Sequence, residues 1–111
     1  MTQKALLIKE NGSTCFEGYA FLEQRNLTAD FHNTGASALA AYRTGNYRYV
    51  LVSMTMQRDD PLEIIRSIRC LELELGLPPA RIVVSAPERQ PTQTEIQQYN
   101  ICGVVRAHRM S

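Results

Sequence analysis

Five short apolar runs, spaced along the whole chain, are separated by segments with helical spacing of their apolar residues. Runs rich in Val, Ile and Leu and bounded by polar residues predict buried β-strands. The predicted strands are Lys4–Lys9, Leu27–His32, Tyr49–Val52, Arg81–Ala86 and Asn100–Val105. In the second run, apolar Leu27, Ala29 and Phe31 alternate with polar residues, which predicts an edge strand whose polar face is wet.

The longest predicted helix is Pro61–Leu75. Asp60 is a suitable N-cap, Pro61 suits the first helical position, and Gly76 suits the end of the helix. Its apolar stripe consists of Ile64, Ile68, Leu71 and Leu75, spaced by three or four residues.

Three shorter helices are predicted between the other strands. Thr14 and Glu17 form a capping-box pattern for a first helix that ends near Arg25, and Thr92 with Glu95 forms one for the last helix. An Ala-rich helix over Ala36–Arg43 is predicted to stop at Gly45. Strands therefore alternate with helices, which predicts a parallel sheet with right-handed crossovers in one domain.

Composition narrows the classes of function. The 111 residues fit a single domain, and a net charge of +1 without a Lys/Arg-rich run gives no case for nucleic-acid binding. No apolar segment approaches the ~20 residues that cross a bilayer, and no signal peptide is visible. The three cysteines are odd in number and lack CxxC spacing, so we expect reduced thiols in a cytoplasmic protein. His32 and His108 are isolated, and no metal or other cofactor is expected.

The central segment Tyr47–Arg69 resembles that of response-regulator receiver domains. In that family a strand ends in a phosphoacceptor aspartate, followed by a Met-rich loop and a helix that starts Leu-Glu. Here the strand is followed by Ser53-Met54-Thr55-Met56, and the helix begins Pro61-Leu62-Glu63. The resemblance implies a flavodoxin-like, doubly wound sheet of five parallel strands in the order 2-1-3-4-5.

The same resemblance assigns the functional positions of the family, and most of them are changed. The acidic pair that binds a divalent cation falls on Lys9 and Glu10, and the phosphoacceptor falls on Ser53. The hydroxyl after the fourth strand is kept as Ser85, and the lysine after the fifth falls on Ala107. A serine hydroxyl is a poor nucleophile without an adjacent base, so aspartyl-type phosphorylation is not expected. The resemblance then implies a pseudo-receiver, a protein–protein interaction module of two-component-type signalling with no catalytic activity.

A second interpretation reads the same sheet edge as a site for a small anion or a nucleotide. Lys9, Ser13 and Arg106 would supply cations and donors there, and a helix N-terminus favours anions. No Walker-type glycine loop is present, and no Ser/His/Asp or Cys/His arrangement supports a third interpretation as an enzyme.

The resemblance also implies a difference at the end of the chain. Receivers have a fifth helix after the fifth strand, and His108–Ser111 is too short to form it. Residues 1–111 would then be a single receiver-like domain, which could be a piece cut from a longer protein. Otherwise the sheet face left bare by the missing helix would be covered by another protein, or by a second copy in a homodimer.

Overall fold

The computed structural model describes residues 3–10, 16–45, 47–54, 56, 58–85 and 91–105 of the chain. Strands and helices alternate throughout these residues. The elements are β1 (Gln3–Ile8), α1 (Phe16–Gln24), β2 (Leu27–His32), α2 (Gly35–Thr44), β3 (Tyr49–Ser53), α3 (Pro61–Leu75), β4 (Arg81–Ser85), α4 (Gln93–Gln98) and β5 (Ile101–Val105). Most bounds lie within a residue of those predicted from the sequence.

All five strands are parallel and form one sheet in the order β2-β1-β3-β4-β5. The predicted flavodoxin-like fold and its strand order are therefore confirmed. The register is regular except between β4 and β5, where Ile82 pairs with Ile101 and Val83 with Gly103. Cys102 is the extra residue of this bulge.

The sheet buries side chains on both faces, as a parallel sheet with helical crossovers must. One face packs beneath α2 and α3 and forms the larger core. Its buried strand residues are Leu6, Ile8, Val50, Val52, Ile82, Val84 and Ile101. The alternate positions Ala5, Leu7, Leu51 and Val83 form a second core with Leu22 of α1.

Helix α1 covers the centre of this second face. Leu7, Leu51 and Val83 are buried, and Phe21 and Leu22 of α1 pack against them. The physical reason is the position of α1, which contacts both β2 and β5 and so lies across the sheet.

The edge position of β2 is confirmed, but the prediction of its wet face is wrong. The apolar side chain of Phe31 is 45% exposed, whereas the polar side chains of Asp30 and His32 are half-buried. The polar side chains are held by partners on their own face. The Tyr47 hydroxyl donates to Asp30 Oδ2 at 2.7 Å, and His32 Nδ1 lies 3.2 Å from Ser37 Oγ.

Helix α3 begins and ends as its sequence signals predict. The Asp60 side chain accepts from the Leu62 amide at 3.0 Å, Pro61 occupies the first turn, and Gly76 has a φ of 65° at the C-cap. The predicted apolar stripe is correct for Ile64 and Ile68 but wrong at the end of the helix. Leu75 is 47% exposed, and Glu72 is the buried residue, at 6% exposure.

Candidate functional site

The carboxyl ends of β1, β3 and β4 bring together four of the positions singled out in the sequence. Ser53 and Ser85 are the last residues of β3 and β4, they are paired in register, and they are 2% and 1% exposed. The amide of Met54 donates to the Ser85 carbonyl at 2.9 Å and extends this pairing past the strands. Two hydroxyl side chains therefore lie buried at the centre of this edge.

Lys9 follows β1 at the same edge and is turned toward β2. Its amide donates to the His32 carbonyl at 3.1 Å, and its ammonium lies 4.8 Å from the centroid of the Phe31 ring. The side chain is only 9% exposed. A cation over an aromatic face is attracted by the ring quadrupole, so Phe31 holds the Lys9 charge at the edge.

Glu10 joins the loop after β1 to the loop after β3. Its Oε2 accepts a hydrogen bond from the amide of Arg58. This contact is charge-assisted, since the acceptor is a carboxylate. Glu10 is the one acid at the two positions where receivers have an acidic pair, and it thus has the backbone amide of Arg58 as a partner.

The two aspartates before α3 both act on helix N-termini. Asp59 Oδ2 accepts from the amide of Gly35, the first residue of α2, at 2.9 Å, while Asp60 caps α3. Within the described ranges no group of three or more His, Cys, Asp or Glu side chains could hold a metal ion. Met54 and Met56 are buried and pack in the larger core.

Several residues predicted for this site lie outside the described residues. These are Ser13, Arg106 and Ala107. Val104 of β5 is half-buried and packs against the core beneath α2 and α3.

The structure also contains an ion pair between partly buried Arg69 and buried Glu72, which was not predicted from the sequence. Arg69 Nη1 donates to Glu72 Oε1 at 2.8 Å, and the Glu72 carboxylate also accepts from the Tyr42 hydroxyl and the Ala80 amide, both at 2.7 Å. Burial, followed by the hydrogen bond to Glu72, raises the pKa of Tyr42. The sequence did contain a signal for this buried carboxylate, since Glu72 lies four residues after Ile68 on the apolar side of α3.

The same arginine ties α3 to the segment between α4 and β5. Arg69 Nε donates to the Tyr99 carbonyl at 3.0 Å, and Nη2 donates to the Asn100 carbonyl at 2.8 Å. Ala80 and Asn100 directly precede β4 and β5. This network therefore lies at the amino edge of the sheet, opposite Ser53 and Ser85, and its contacts are structural.

Comparison with known structures identifies this arrangement as the fold of CheY-like receiver domains. The receiver domain from Methylobacillus flagellatus matches with a TM-score of 0.76 and 19% identity, over 96% of this chain and 86% of that one. CheY4 of Vibrio cholerae matches with a TM-score of 0.74 and 14% identity, over 96% and 87% of the two chains. The receiver domain of the histidine kinase CKI1 from Arabidopsis thaliana, in a structure with Mg²⁺, matches with a TM-score of 0.73 and 15% identity, over 94% and 82%.

No protein-family model matches the sequence, and no curated protein matches it. None of the described helices is long and apolar enough to cross a membrane.

Proposed function

We propose that this chain is a pseudo-receiver. It acts in the cytoplasm through protein–protein contacts of a two-component-type regulatory system, without phosphorylation and without catalytic turnover. The observation that carries the proposal is Ser53, buried at the end of β3, where a receiver domain has its acceptor aspartate. A neutral hydroxyl at that point supplies neither the carboxylate nucleophile nor a ligand charge for a divalent cation.

The charge at the neighbouring position supports the same proposal. Lys9 replaces one of the two acids that would bind the cation, and its ammonium is held against Phe31 at the sheet edge. A fixed positive charge disfavours a hard divalent cation, which is bound by oxygen ligands. Glu10 is the remaining acid, and one of its oxygens is engaged by the Arg58 amide.

Because phosphorylation would no longer regulate the domain, we infer that a protein partner does. A receiver domain signals by shifting between states that bind other proteins differently, and only a ligand with differential affinity shifts such an equilibrium. If phosphorylation does not supply that difference, partner binding or an attached domain must.

The anion-binding alternative depends on the same lysine. With 9% of its surface exposed and its ammonium over a ring, Lys9 offers little charge to a ligand. We therefore rank it second and keep it as an outcome of the test below.

The test is an amide chemical-shift titration of the chain, first with Mg²⁺, then with Mg²⁺ and beryllofluoride, then with inorganic phosphate and a set of nucleotides. We expect no saturable shifts at Glu10, Ser53 or Ser85, and no mass increase after treatment with acetyl phosphate. Mg²⁺-dependent shifts at these residues would overturn the proposal. Shifts at Lys9 with phosphate alone would favour the anion-binding alternative.

A gain-of-function variant supplies the matched control. Lys9→Asp combined with Ser53→Asp restores two carboxylates to the edge, and circular dichroism checks that it folds. We expect this variant to acquire Mg²⁺-dependent shifts that the natural chain lacks. Ser53→Ala, which removes the hydroxyl alone, is expected to leave partner binding unchanged.

The interaction itself is tested with the same protein. A partner recovered by cross-linking should bind the purified chain equally well with and without acetyl phosphate. Sedimentation velocity then shows whether that partner is a second copy. Binding that requires acetyl phosphate would contradict phosphorylation independence.

A further inference from the structure

A pocket of about 340 Å³ lies on the sheet face that α1 covers, beside α1 and over β4 and β5. Its size falls at the lower end of the range of roughly 300–1,000 Å³ that is typical of small-molecule sites. The described residues that line it are Phe21, Arg25, Tyr49, Arg81, Val83 and residues 102–104. Arg25 follows α1, while Tyr49 and Arg81 begin β3 and β4, so the pocket lies toward the opposite end of the sheet from Ser53.

One wall of the pocket is aromatic. The rings of Phe21 and Tyr49 meet edge to face, with centroids 5.9 Å apart and an interplanar angle of 69°. Both side chains pack against the smaller core, and Val83 beside them is buried. Such a wall suits a flat apolar group, which can stack on one ring and contact the edge of the other.

The rim of the pocket is cationic. The guanidinium of Arg25 lies 4.0 Å from the centroid of the Phe21 ring, which holds this charge beside the aromatic wall. Arg81 is exposed at the start of β4. None of the described lining residues is a carboxylate, and neither arginine forms an ion pair within the described part of the chain. Two arginines thus line one pocket of a chain whose net charge is only +1.

Gly103 and Cys102 complete the pocket at β5. A Cβ atom added at Gly103 would meet nothing within 4 Å, so the glycine leaves open space at the pocket. Cys102, the extra residue of the bulge, is exposed as a free thiol at the same place.

We propose that this pocket binds a small organic anion with a flat apolar body, such as an aromatic carboxylate. The carboxylate accepts hydrogen bonds from Arg25 and Arg81, and the ring lies against Phe21 and Tyr49. Arginine suits this role because its planar fork matches a carboxylate and its side chain stacks on aromatic faces. The pocket is separate from the carboxyl edge of the sheet that contains Ser53 and Ser85, so this proposal does not depend on the proposed function.

The test uses 1-naphthoate as the probe and 1-naphthylmethanol as its uncharged counterpart, with amide chemical shifts as the readout. We expect saturable shifts at Phe21, Tyr49, Val83 and Gly103 with the anion, and affinity for the alcohol weaker by about tenfold or more, since hydrogen bonds to charged groups are each worth about 1.5–3 kcal/mol. Equal affinity for the two compounds, or shifts elsewhere in the chain, would overturn the proposal.

Matched variants test the assignment of residues. Arg25→Gln and Arg81→Gln should each weaken 1-naphthoate binding, whereas Arg43→Gln, at an exposed arginine of α2, should not. Gly103→Leu should block binding by filling the pocket while leaving the melting temperature close to that of the natural chain. Binding that survives Gly103→Leu, or that is weakened as much by Arg43→Gln, would overturn the proposal.

Cysteine labelling gives an independent readout within one chain. Saturating 1-naphthoate should slow the alkylation of Cys102 but not that of Cys70, an exposed thiol on α3, when both are followed by peptide mass spectrometry. Equal rates at Cys102 with and without the probe would count against the site.

Discussion

The hydroxyl of Tyr42 donates to the carboxylate of Glu72 at 2.7 Å inside the protein, joining α2 to α3. The carboxylate is also paired with Arg69 and the Ala80 amide. Removing the Glu72 carboxylate from water costs free energy, and each of these donors compensates for part of that cost. The cost is large when a buried charge is left unpaired. The stability of the amino edge of the sheet therefore depends on a complete set of partners.

Replacing Glu72 should be among the most damaging single changes. Glu72→Leu removes the carboxylate that pairs with Arg69 and accepts from the Tyr42 hydroxyl and the Ala80 amide, and we expect a loss of about 3 kcal/mol in the free energy of unfolding. Tyr42→Phe removes one hydrogen bond and should cost about 1 kcal/mol. Urea denaturation measures both.

The double variant Arg69→Met with Glu72→Leu distinguishes pairing from packing. It should lose less stability than the sum of the two single changes, because neither charge is left without a partner. Additive losses would show that the two side chains contribute independently.

Gly45 and Gly103 provide a matched pair of glycines. A Cβ at Gly45 would clash with Cε2 of the Tyr47 ring and meet Cδ2 at 3.0 Å, whereas one at Gly103 meets nothing within 4 Å. Gly45→Ala should cost about 1–3 kcal/mol, as overpacking does. Gly103→Ala should stay within about 0.5 kcal/mol of the natural chain, as unhindered substitutions do. Thermal denaturation of both variants checks this, and equal losses would contradict it.

Stability should fall at alkaline pH because of Tyr47. Burial, followed by the hydrogen bond to Asp30, raises the pKa of Tyr47 from its ordinary value of 10.0 to about 12. The folded state thus favours the neutral phenol. Its contribution is complete below about pH 10 and is lost as the pH rises from there to about 12.

Urea midpoints across that range measure the loss, and tyrosinate absorbance follows the titration. Tyr47→Phe should flatten the decline and remove a late-titrating tyrosine. Tyr42, whose pKa is also raised, acts in the same direction. An unchanged slope in Tyr47→Phe would assign the decline to other groups.

The aspartates before α3 should behave as helix caps. Asp60→Ala removes the acceptor of the Leu62 amide and should cost about 1 kcal/mol, and Asp59→Ala removes that of the Gly35 amide, with a cost of about the same size. Asp60→Asn, which can still cap, should retain most of the stability. Neither loss should depend on Mg²⁺ in the buffer, and a Mg²⁺-dependent difference would indicate a metal site.

The sequence predicted the elements because their signals are local. Asp60, Pro61 and Gly76 act within a turn of the residues that they cap, so α3 could be placed at its observed bounds. Alternation of strands and helices predicted a parallel sheet, and the strand order implied by the resemblance to receiver domains places the ends of β3 and β4 side by side. The pairing of Ser53 with Ser85 follows from that topology.

The sequence by itself thus determined the parallel fold and the residue types at its carboxyl edge, because periodicity and capping depend on near neighbours. Only the tertiary structure decided that Glu72 is buried and Leu75 exposed, since the partners Tyr42 and Ala80 come from other segments. It also decided that α1 covers the centre of the second sheet face and leaves a pocket beside β5. The path of a helix over a sheet depends on how their side chains pack, and that packing joins residues far apart in the chain.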